Sequence, residues 1–338
     1  MRRDCATIVG QMRSPPRSAL LLLALLVTAC SDREPAWPDR TIKIEIGSPV
    51  GAGPDALGHA VAAELSRTLK TEVVIENRPG KSGVIATTEV AHAPADGYTL
   101  LIAATGAITL APLLDERTPY AAMRDICPIA LLAETPHALL VTGDSPDRSV
   151  QDLVARAKRH PDELTYASLG SGSSAHAIGA LFADLAHVQI AHVPYRSSPP
   201  ALRDLLGEHV SMMFGTLHET LPSIRSGHVR ALAISSPERV SQAPDVPTFR
   251  ELGMPELTST SWYGLFAPCG LPRDVEGRLQ SAAREAILHP AIADALDFTG
   301  RGSEAIIGEG FADFLREDRE HWREVIPSLR ASITAGEP

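Results

Sequence analysis

Past Ala36 the sequence contains no apolar run long enough to span a membrane, no internal repeat and no low-complexity segment. These absences argue against membrane-spanning helices in this part of the chain, and they also argue against a repeat architecture. Basic residues are outnumbered, with 31 Lys and Arg against 41 Asp and Glu and a formal net charge of −10. Nucleic-acid binding needs basic patches, so this balance argues against a nucleic-acid partner.

Metal-binding motifs are also missing, because the twelve histidines are scattered and neither H-E-x-x-H nor C-x-x-C occurs. These spacings are typical of zinc sites, so we expect no metal and no cofactor. Of the four cysteines, only Cys127 and Cys269 lie in the body of the chain. An exported chain permits a disulfide between them, and two buried free thiols are an equal alternative.

The N-terminus carries the features of a secretory signal: two arginines, an apolar run over 19–27 and small residues before Cys30. The segment 27–30, Val-Thr-Ala-Cys, resembles a bacterial lipobox, in which the cysteine is acylated and becomes the first residue. We therefore predict a signal peptide over 1–29, lipidation of Cys30 and a polar tether over 30–40. The protein is then periplasmic and held to a bacterial membrane by its lipid alone. An ordinary signal peptide with a chance cysteine is the alternative.

Beyond the tether, strand and helix patterns alternate along the chain. Examples are a strand at Ile42–Ile46, a helix at Pro54–Lys70 and a strand at Val73–Glu76. Two short strands are predicted over 129–133 and 138–142. Such alternation predicts an α/β protein with parallel or mixed sheets covered by helices, and about 300 residues are enough for two such units.

Two glycine-rich turns, over 47–55 and 168–176, each follow a predicted strand and precede a predicted helix. Ligands of open α/β sheets bind beyond the carboxyl ends of strands, often at helix N-termini. If the two turns belong to different units, they face each other across a cleft, and this is our structural prediction.

The first turn also fits a dinucleotide-binding pattern, because Gly51–Ala56 reads G-x-G-x-x-[GA] and Glu76 ends the next strand. That fingerprint places its first glycine directly at the end of the strand, whereas residues 47–50 intervene here. Export also argues against the pattern, because nicotinamide cofactors are cytoplasmic. An exported dinucleotide-binding enzyme is kept as an alternative.

Nucleophilic catalysis is suggested by the second turn, where Ser171 and Ser173 precede His176. The segment lacks the G-x-S-x-G elbow, and a Ser–His pair needs an orienting acid as well as contact. Serines and glycines that cap a helix explain the same residues. An exported hydrolytic enzyme is therefore kept only as an alternative.

Both turns favour the binding of an anion. We expect free backbone N–H groups of Gly51, Ala52 and Gly53 at the start of one helix, and of 171–174 at the start of another, to point into the cleft. Each helix N-terminus carries about half a positive charge. Asp55 either favours the helix start by ~0.3–1 kcal/mol or accepts bonds from a ligand amine, amide or hydroxyl. Nearby hydroxyl groups add donors, although local capping explains each of them singly: Ser48, Thr105, Ser168, Ser171 and Ser173.

Six segments, in order along nearly the whole mature chain, share one resemblance. They are Glu76-Asn-Arg-Pro-Gly80, Pro94-Ala-Asp-Gly-Tyr-Thr-Leu-Leu101, Tyr166-Ala-Ser168, His192-Val-Pro-Tyr195, Pro244-Asp-Val-Pro-Thr248 and Ser261-Trp-Tyr-Gly-Leu-Phe-Ala-Pro268. Together they resemble the Bug family, the extracytoplasmic substrate-binding proteins of tripartite tricarboxylate transporters.

The resemblance implies a two-lobed periplasmic-binding-protein fold of type II, with a mixed sheet flanked by helices in each lobe and a ligand cleft between the lobes. We assign 41–139 and 259–338 to lobe 1 and 140–258 to lobe 2. The resemblance implies a receptor and no enzyme. Its ligand is a di- or tricarboxylate, an acidic amino acid or an aromatic carboxylate, delivered to membrane transporter subunits. We expect a monomer whose lobes close around hinges near 138–143 and 258–261.

Family members commonly hold a ligand carboxylate through backbone N–H groups and ordered waters at the segments that match these two turns. On that basis His176, Tyr195 and Thr216 join the residues of the anion site as candidate ligand-binding residues. The first turn departs from the family pattern Pro-Phe-Pro-Pro-Gly-Gly-Ser-Thr-Asp, because Ser48 replaces the aromatic residue and Gly53-Pro54 replaces the Ser-Thr pair. A sensor module on the same fold is thus a further alternative.

Overall fold

A computed structural model describes residues 37–289, 292 and 305–334 of the chain. The predicted signal peptide 1–29, Cys30 and most of the predicted tether lie outside the described residues. In the described part, none of the helices combines the length and the apolar character needed to cross a membrane.

Strands and helices alternate along the described chain, as the sequence predicts. The strands are β1 (Ile42–Ile46), β2 (Val73–Asn77), β3 (Thr99–Ala104), β4 (Ile126–Thr142), β5 (Thr165–Ser168), β6 (Ala191–Pro194), β7 (Met212–Thr216), β8 (Val229–Ile234) and β9 (Thr260–Pro268). The helices are α1 (Gly53–Leu69), α2 (Val84–Ala91), α3 (Ala111–Leu114), α4 (Val150–Arg159), α5 (Ser174–Ala186), α6 (Ser198–Leu206), α7 (Leu217–Arg225), α8 (Arg273–Leu288) and α9 (Glu309–Thr334). Short 3₁₀ or π turns cover Lys81–Gly83, Gly106–Leu110 and Pro255–Leu257.

The strands of the described part are hydrogen-bonded in the order β2-β1-β3-β9-β4-β7-β5-β6, and β8 also pairs with β4. Pairing is parallel among β1, β2 and β3 and among β5, β6 and β7. Strands β4 and β9 run antiparallel to their neighbours. The prediction of a mixed sheet is therefore confirmed.

Strand β4 corrects one prediction, because residues 126–142 form one strand and the two predicted strands are its parts. Pro136 and the polar residues before it suggested a break. In the fold, Pro136 is the last residue opposite β9, and His137 is the first residue opposite β7. A proline lacks the N–H that a sheet ladder needs, so it is tolerated here at the point where β4 changes partners.

Two hydrophobic clusters lie on either side of the point where β4 changes partners, and the C-terminal helix contributes residues to both. Phe311 and Leu315 of α9 pack with residues of β3 and β9. Trp322, further along α9, packs with Leu139 and with Phe182 of α5. A helix of this length spans roughly 40 Å, so α9 bridges the two clusters. The assignment of 41–139 and 259–338 to one lobe and 140–258 to the other stays a prediction.

The two body cysteines are joined. Cys127 lies near the start of β4, and Cys269 directly follows β9, its antiparallel partner. The structure links them in a disulfide, so of the two alternatives left open by the sequence it supports the bridge.

Asp318 of α9 is a half-buried acid between the two core clusters. Its Oδ2 accepts a hydrogen bond of 2.5 Å from the hydroxyl of Thr109. Burial raises the pKa of Asp318 to about 6, and the nearby Glu134 carboxylate acts in the same direction. The protonated form is therefore favoured in the fold, so the contribution of Asp318 to stability is complete below about pH 4 and is lost as the pH rises through 6.

We expect Asp318→Asn to raise the free energy of unfolding at pH 8 by about 1–3 kcal/mol, since a shift of two pKa units corresponds to roughly 3 kcal/mol and the side chain is only partly shielded. The gain should vanish near pH 4. Urea denaturation at both pH values measures it, with Glu317→Gln on an exposed position of the same helix as control. Equal gains at both pH values would contradict the assignment.

Candidate functional site

A cleft of about 1130 Å³ opens between the two glycine-rich turns. Residues 47–54 and 169–175 both contribute to its wall, which confirms the prediction that the turns face a common cleft. Other segments close its sides: 79–83, 102–104, Gly106, 194–198, His137, Thr216, Glu219, Ser261 and Tyr263.

The second turn brings the N-terminus of α5 to the cleft. Gly170 and Gly172 adopt φ values of +114° and +76°, which glycine accepts readily. Ser173 caps the helix, because its Oγ accepts a bond from the N–H of His176. The N–H groups of Ser174 and Ala175 have no acceptor among the described residues. These two amides sit at the positive end of the helix dipole and suit an anion.

A pair of stacked histidines supports this turn from behind. The rings of His176 and His192 lie 3.7 Å apart, and Nδ1 of His176 accepts the N–H of Gly172 at 3.1 Å. Nε2 of His192 lies 2.6 Å from the hydroxyl of Ser168. Burial lowers the pKa of His176 to about 4 and that of His192 to about 3, so both rings are neutral at pH 7.

Both turns offer fewer free amides than expected, since in the second turn the N–H groups of Gly172 and Ser173 donate to Nδ1 of His176 and to the carbonyl of Gly170. In the first turn, the N–H of Gly51 donates to Oδ2 of Asp55 at 2.8 Å, and that of Ala52 donates to the carbonyl of Pro49 at 3.3 Å. The expectation of three free N–H groups is therefore wrong, because the turn satisfies two of them itself. Among the described residues, only the N–H of Gly53 in this trio has no acceptor.

Asp55 organises this turn from inside the protein. It is 4% exposed, and its Oδ1 accepts a 2.8 Å bond from the side-chain amide of Asn77. Burial favours the protonated acid, but the bonds from Gly51 and Asn77 outweigh it and lower the pKa of Asp55. The carboxylate does not line the cleft, so its contacts support the structural role at the helix start.

One carboxylate does line the cleft, that of Glu219 in the first turn of α7. Its Oε2 accepts a 3.0 Å bond from the hydroxyl of Thr216. Its Oε1 lies against the start of α1, where a Cβ built on Gly53 would collide with it. Burial and this carboxylate both raise the pKa of Tyr263. The sequence reasoning did not select Glu219, although Thr216-x-x-Glu219 is a capping-box pattern.

Several polar atoms of the cleft wall have no hydrogen-bond partner in the described part of the chain. They are Oγ of Ser48, Oγ of Ser198 and Nδ1 of His137. The other ring nitrogen of His137, Nε2, lies 3.0 Å from Oγ of Ser174. Buried polar atoms are normally paired, so these groups are available to a ligand. Two exposed cationic side chains, Lys81 and Arg196, also border the cleft.

The structure divides the twelve predicted ligand-binding residues into two groups. Six line the cleft: Ser48, Ala52, Ser171, Ser173, Tyr195 and Thr216. The other six lie outside the cleft wall: Gly51, Gly53, Asp55, Thr105, Ser168 and His176. Thr105, for example, is fully buried and accepts a bond from the N–H of Trp262. Ligand binding by the twelve residues stays a prediction.

The residues that would serve a dinucleotide-binding enzyme or a metal site do not gather at the cleft. Glu76, the candidate ribose partner, pairs with Lys43 at 3.2 Å and with Arg78 at 2.5 Å and does not line the cleft. In the described residues, no group of three or more His, Cys, Asp or Glu side chains is arranged to hold a metal ion.

Comparison with known proteins relates this fold and cleft to a family. Residues 58–330 match the family model of the tripartite tricarboxylate transporter family receptor. The chain is 32% identical to protein BugT of Bordetella pertussis over 88% of its own length and 91% of that protein.

Solved structures agree with this match. The periplasmic binding protein BugD superposes with a TM-score of 0.79 at 28% identity, covering 86% of this chain and 98% of that one. MatC from Rhodopseudomonas palustris with bound malate gives 0.78 at 31% identity, covering 86% and 100%. R. palustris Rpa4515 with adipate gives 0.77 at 31% identity, covering 86% and 97%. The predicted two-lobed periplasmic-binding-protein fold is confirmed, and the chain belongs to the Bug family of tripartite tricarboxylate transporter receptors.

Proposed function

We propose that this chain is an extracytoplasmic receptor that captures a small carboxylate in the cleft and delivers it to the membrane subunits of a tripartite transporter. The family match and the malate and adipate bound by two relatives support this function. The observation that carries it is the pair of acceptor-free amides, of Ser174 and Ala175, at the N-terminus of α5 on the cleft wall.

The ligand carboxylate binds at these two amides. Hydrogen bonds to a charged acceptor contribute about 1.5–3 kcal/mol each, and the helix dipole adds to them. The unpaired hydroxyl of Ser198, at the first position of α6, supplies a further donor. Closure of the two lobes around the bound ligand shifts the protein to the state that the transporter recognises.

The receptor works as a periplasmic monomer, anchored through Cys30, and binds its ligand without converting it. The pair His137–Ser174 is the strongest contrary feature, because a serine and a histidine in contact suggest hydrolysis. Burial lowers the pKa of His137 to about 3, which makes it a poor general base at neutral pH. Its Nδ1 has no orienting acid in the described part of the chain.

A pair of variants tests the carboxylate site. Position 174 is the first residue of α5, and Ser173 before it is extended with φ −76° and ψ 160°, a backbone that accepts a following proline. Ser174→Pro removes one amide donor and the hydroxyl. Ser174→Ala removes only the hydroxyl and serves as the matched control.

We expect calorimetry on purified protein to show binding of at least one acid from a panel of malate, adipate, aspartate and benzoate. Affinity should fall at least tenfold more in Ser174→Pro than in Ser174→Ala, since loss of one charged hydrogen bond costs about 1.5–3 kcal/mol. NAD is titrated alongside these acids, and binding of NAD with no binding of any acid would establish the dinucleotide alternative. Equal affinities of the two variants would overturn the proposed carboxylate position.

A further inference from the structure

Glu219 gives one end of the cleft a negative charge. Among the described residues, no lysine or arginine forms an ion pair with it. It accepts a bond from the Thr216 hydroxyl and acts electrostatically on His218 and Tyr263. Neither neighbouring ring neutralises it, because Tyr263 carries no positive charge and desolvation lowers the pKa of His218 by more than the Glu219 carboxylate raises it. The negative charge therefore faces the ligand space.

The position of this carboxylate coincides with one of the two anion sites predicted from the sequence. Its Oε1 reaches the start of α1 at Gly53, whose N–H is the remaining acceptor-free amide of the first turn. Glycine at 53 is required for this approach, because a side chain there would collide with Oε1. The positive end of α1 thus stabilises a carboxylate of the protein itself.

A simple helix-capping role explains only part of this geometry. In a capping box the third residue accepts the backbone N–H of the cap residue. Thr216 instead ends β7, opposite His137 of β4, and gives Glu219 only its hydroxyl. The second oxygen of Glu219 is left to face Gly53 and the cleft.

We propose that Glu219 makes this receptor select carboxylates that also carry a protonated amine, with the ligand carboxylate at the start of α5 and the ammonium group at Glu219. This inference rests on the proposed receptor function. A second ligand carboxylate at this end of the cleft would meet a like charge, whereas an ammonium group gains an ion pair and a charged hydrogen bond. Specificity thus arises from repulsion as well as attraction.

Matched ligands of equal chain length test this selectivity. Glutarate is compared with 4-aminobutanoate, and adipate with 5-aminopentanoate, so that each pair differs by one carboxylate replaced by an ammonium group. Titration calorimetry measures both pairs on the wild-type protein, on Glu219→Gln and on Glu276→Gln. The first variant keeps an acceptor for Thr216, and the second removes a charge from the first turn of α8, outside the cleft wall.

We expect the wild-type protein and Glu276→Gln to bind the amino acid of each pair at least tenfold more tightly than the diacid. Glu219→Gln should reduce this ratio at least tenfold, with tighter diacid binding and weaker amino-acid binding. An unchanged ratio in Glu219→Gln, or tighter diacid binding by the wild type, would overturn the role of Glu219 and leave the receptor function intact. Failure to bind any of these acids or those of the earlier panel would overturn the receptor function itself.

Discussion

Between pH 7 and pH 5, the free energy of unfolding is expected to fall by about 4 kcal/mol more in the wild-type protein than in a variant without two of its buried histidines. His137 and His176 are each 1% exposed. Burial lowers the pKa of His137 to about 3 and that of His176 to about 4, whereas the unfolded value is near 6.5. Their contribution is complete above pH 6.5 and is lost as the pH falls toward these values.

The size of this effect follows from proton linkage. At pH 5 an unfolded histidine is almost fully protonated, and each side chain that stays neutral in the fold costs about 2 kcal/mol relative to pH 7. The double variant His137→Gln, His176→Asn keeps an acceptor near Nε2 of the first ring and Nδ1 of the second. Titrating groups that touch neither ring cancel in the comparison.

Urea denaturation of both proteins at pH 7 and pH 5 gives the difference directly. His209→Gln, at an exposed position, is the control and should match the wild type. A wild-type protein that loses no more stability than the double variant would show that these rings become protonated without unfolding. The turn that holds Gly172 would then be more open than its hydrogen bonds indicate.

Loss of the disulfide is expected to have an effect of similar size. Cys127 and Cys269 are 142 residues apart in sequence, and a bridge across so long a loop restricts the unfolded chain strongly. The variant Cys127→Ala, Cys269→Ala should lose about 3–5 kcal/mol of the free energy of unfolding. Guanidinium denaturation measures this loss.

Ligand affinity should be unchanged in the same variant. Neither cysteine lines the cleft, and Cys127 lies ten residues before His137 on one extended strand, roughly 30 Å from that cleft residue. Wild-type protein treated with a reductant is the control and should resemble the variant. If reduction leaves the wild-type stability unchanged while the variant is destabilised, the loss comes from the alanines and not from the missing bridge.

Local patterns in the sequence predicted most of the fold. Apolar β-branched residues predicted β1 with its observed bounds, and helical periodicity predicted α1 to within one residue at each end. The course of β4 was missed because the sequence around Pro136 resembles a break, and only the change of sheet partner makes that proline compatible with a strand.

The candidate site was predictable only in part. Glycine and serine before a helix identified the turn at α5, because those residue types satisfy local backbone requirements. Such patterns do not show which face a side chain takes, so Ser168 and Asp55 were selected although both lie behind the cleft wall. Glu219 escaped notice because its contact with Gly53 joins segments far apart in sequence.

The shared strand β4 also bears on how such receptors diversify. Its first part pairs with β9 and its second part pairs with β7 and β8, so the residues of one strand must pack against two sets of neighbours. If two related genes recombined within β4, part of the strand from one parent would have to pair with neighbouring strands from the other parent. We therefore expect the segments 126–142, 212–216, 229–234 and 260–268 to be inherited together, while the surface helices and cleft turns change independently.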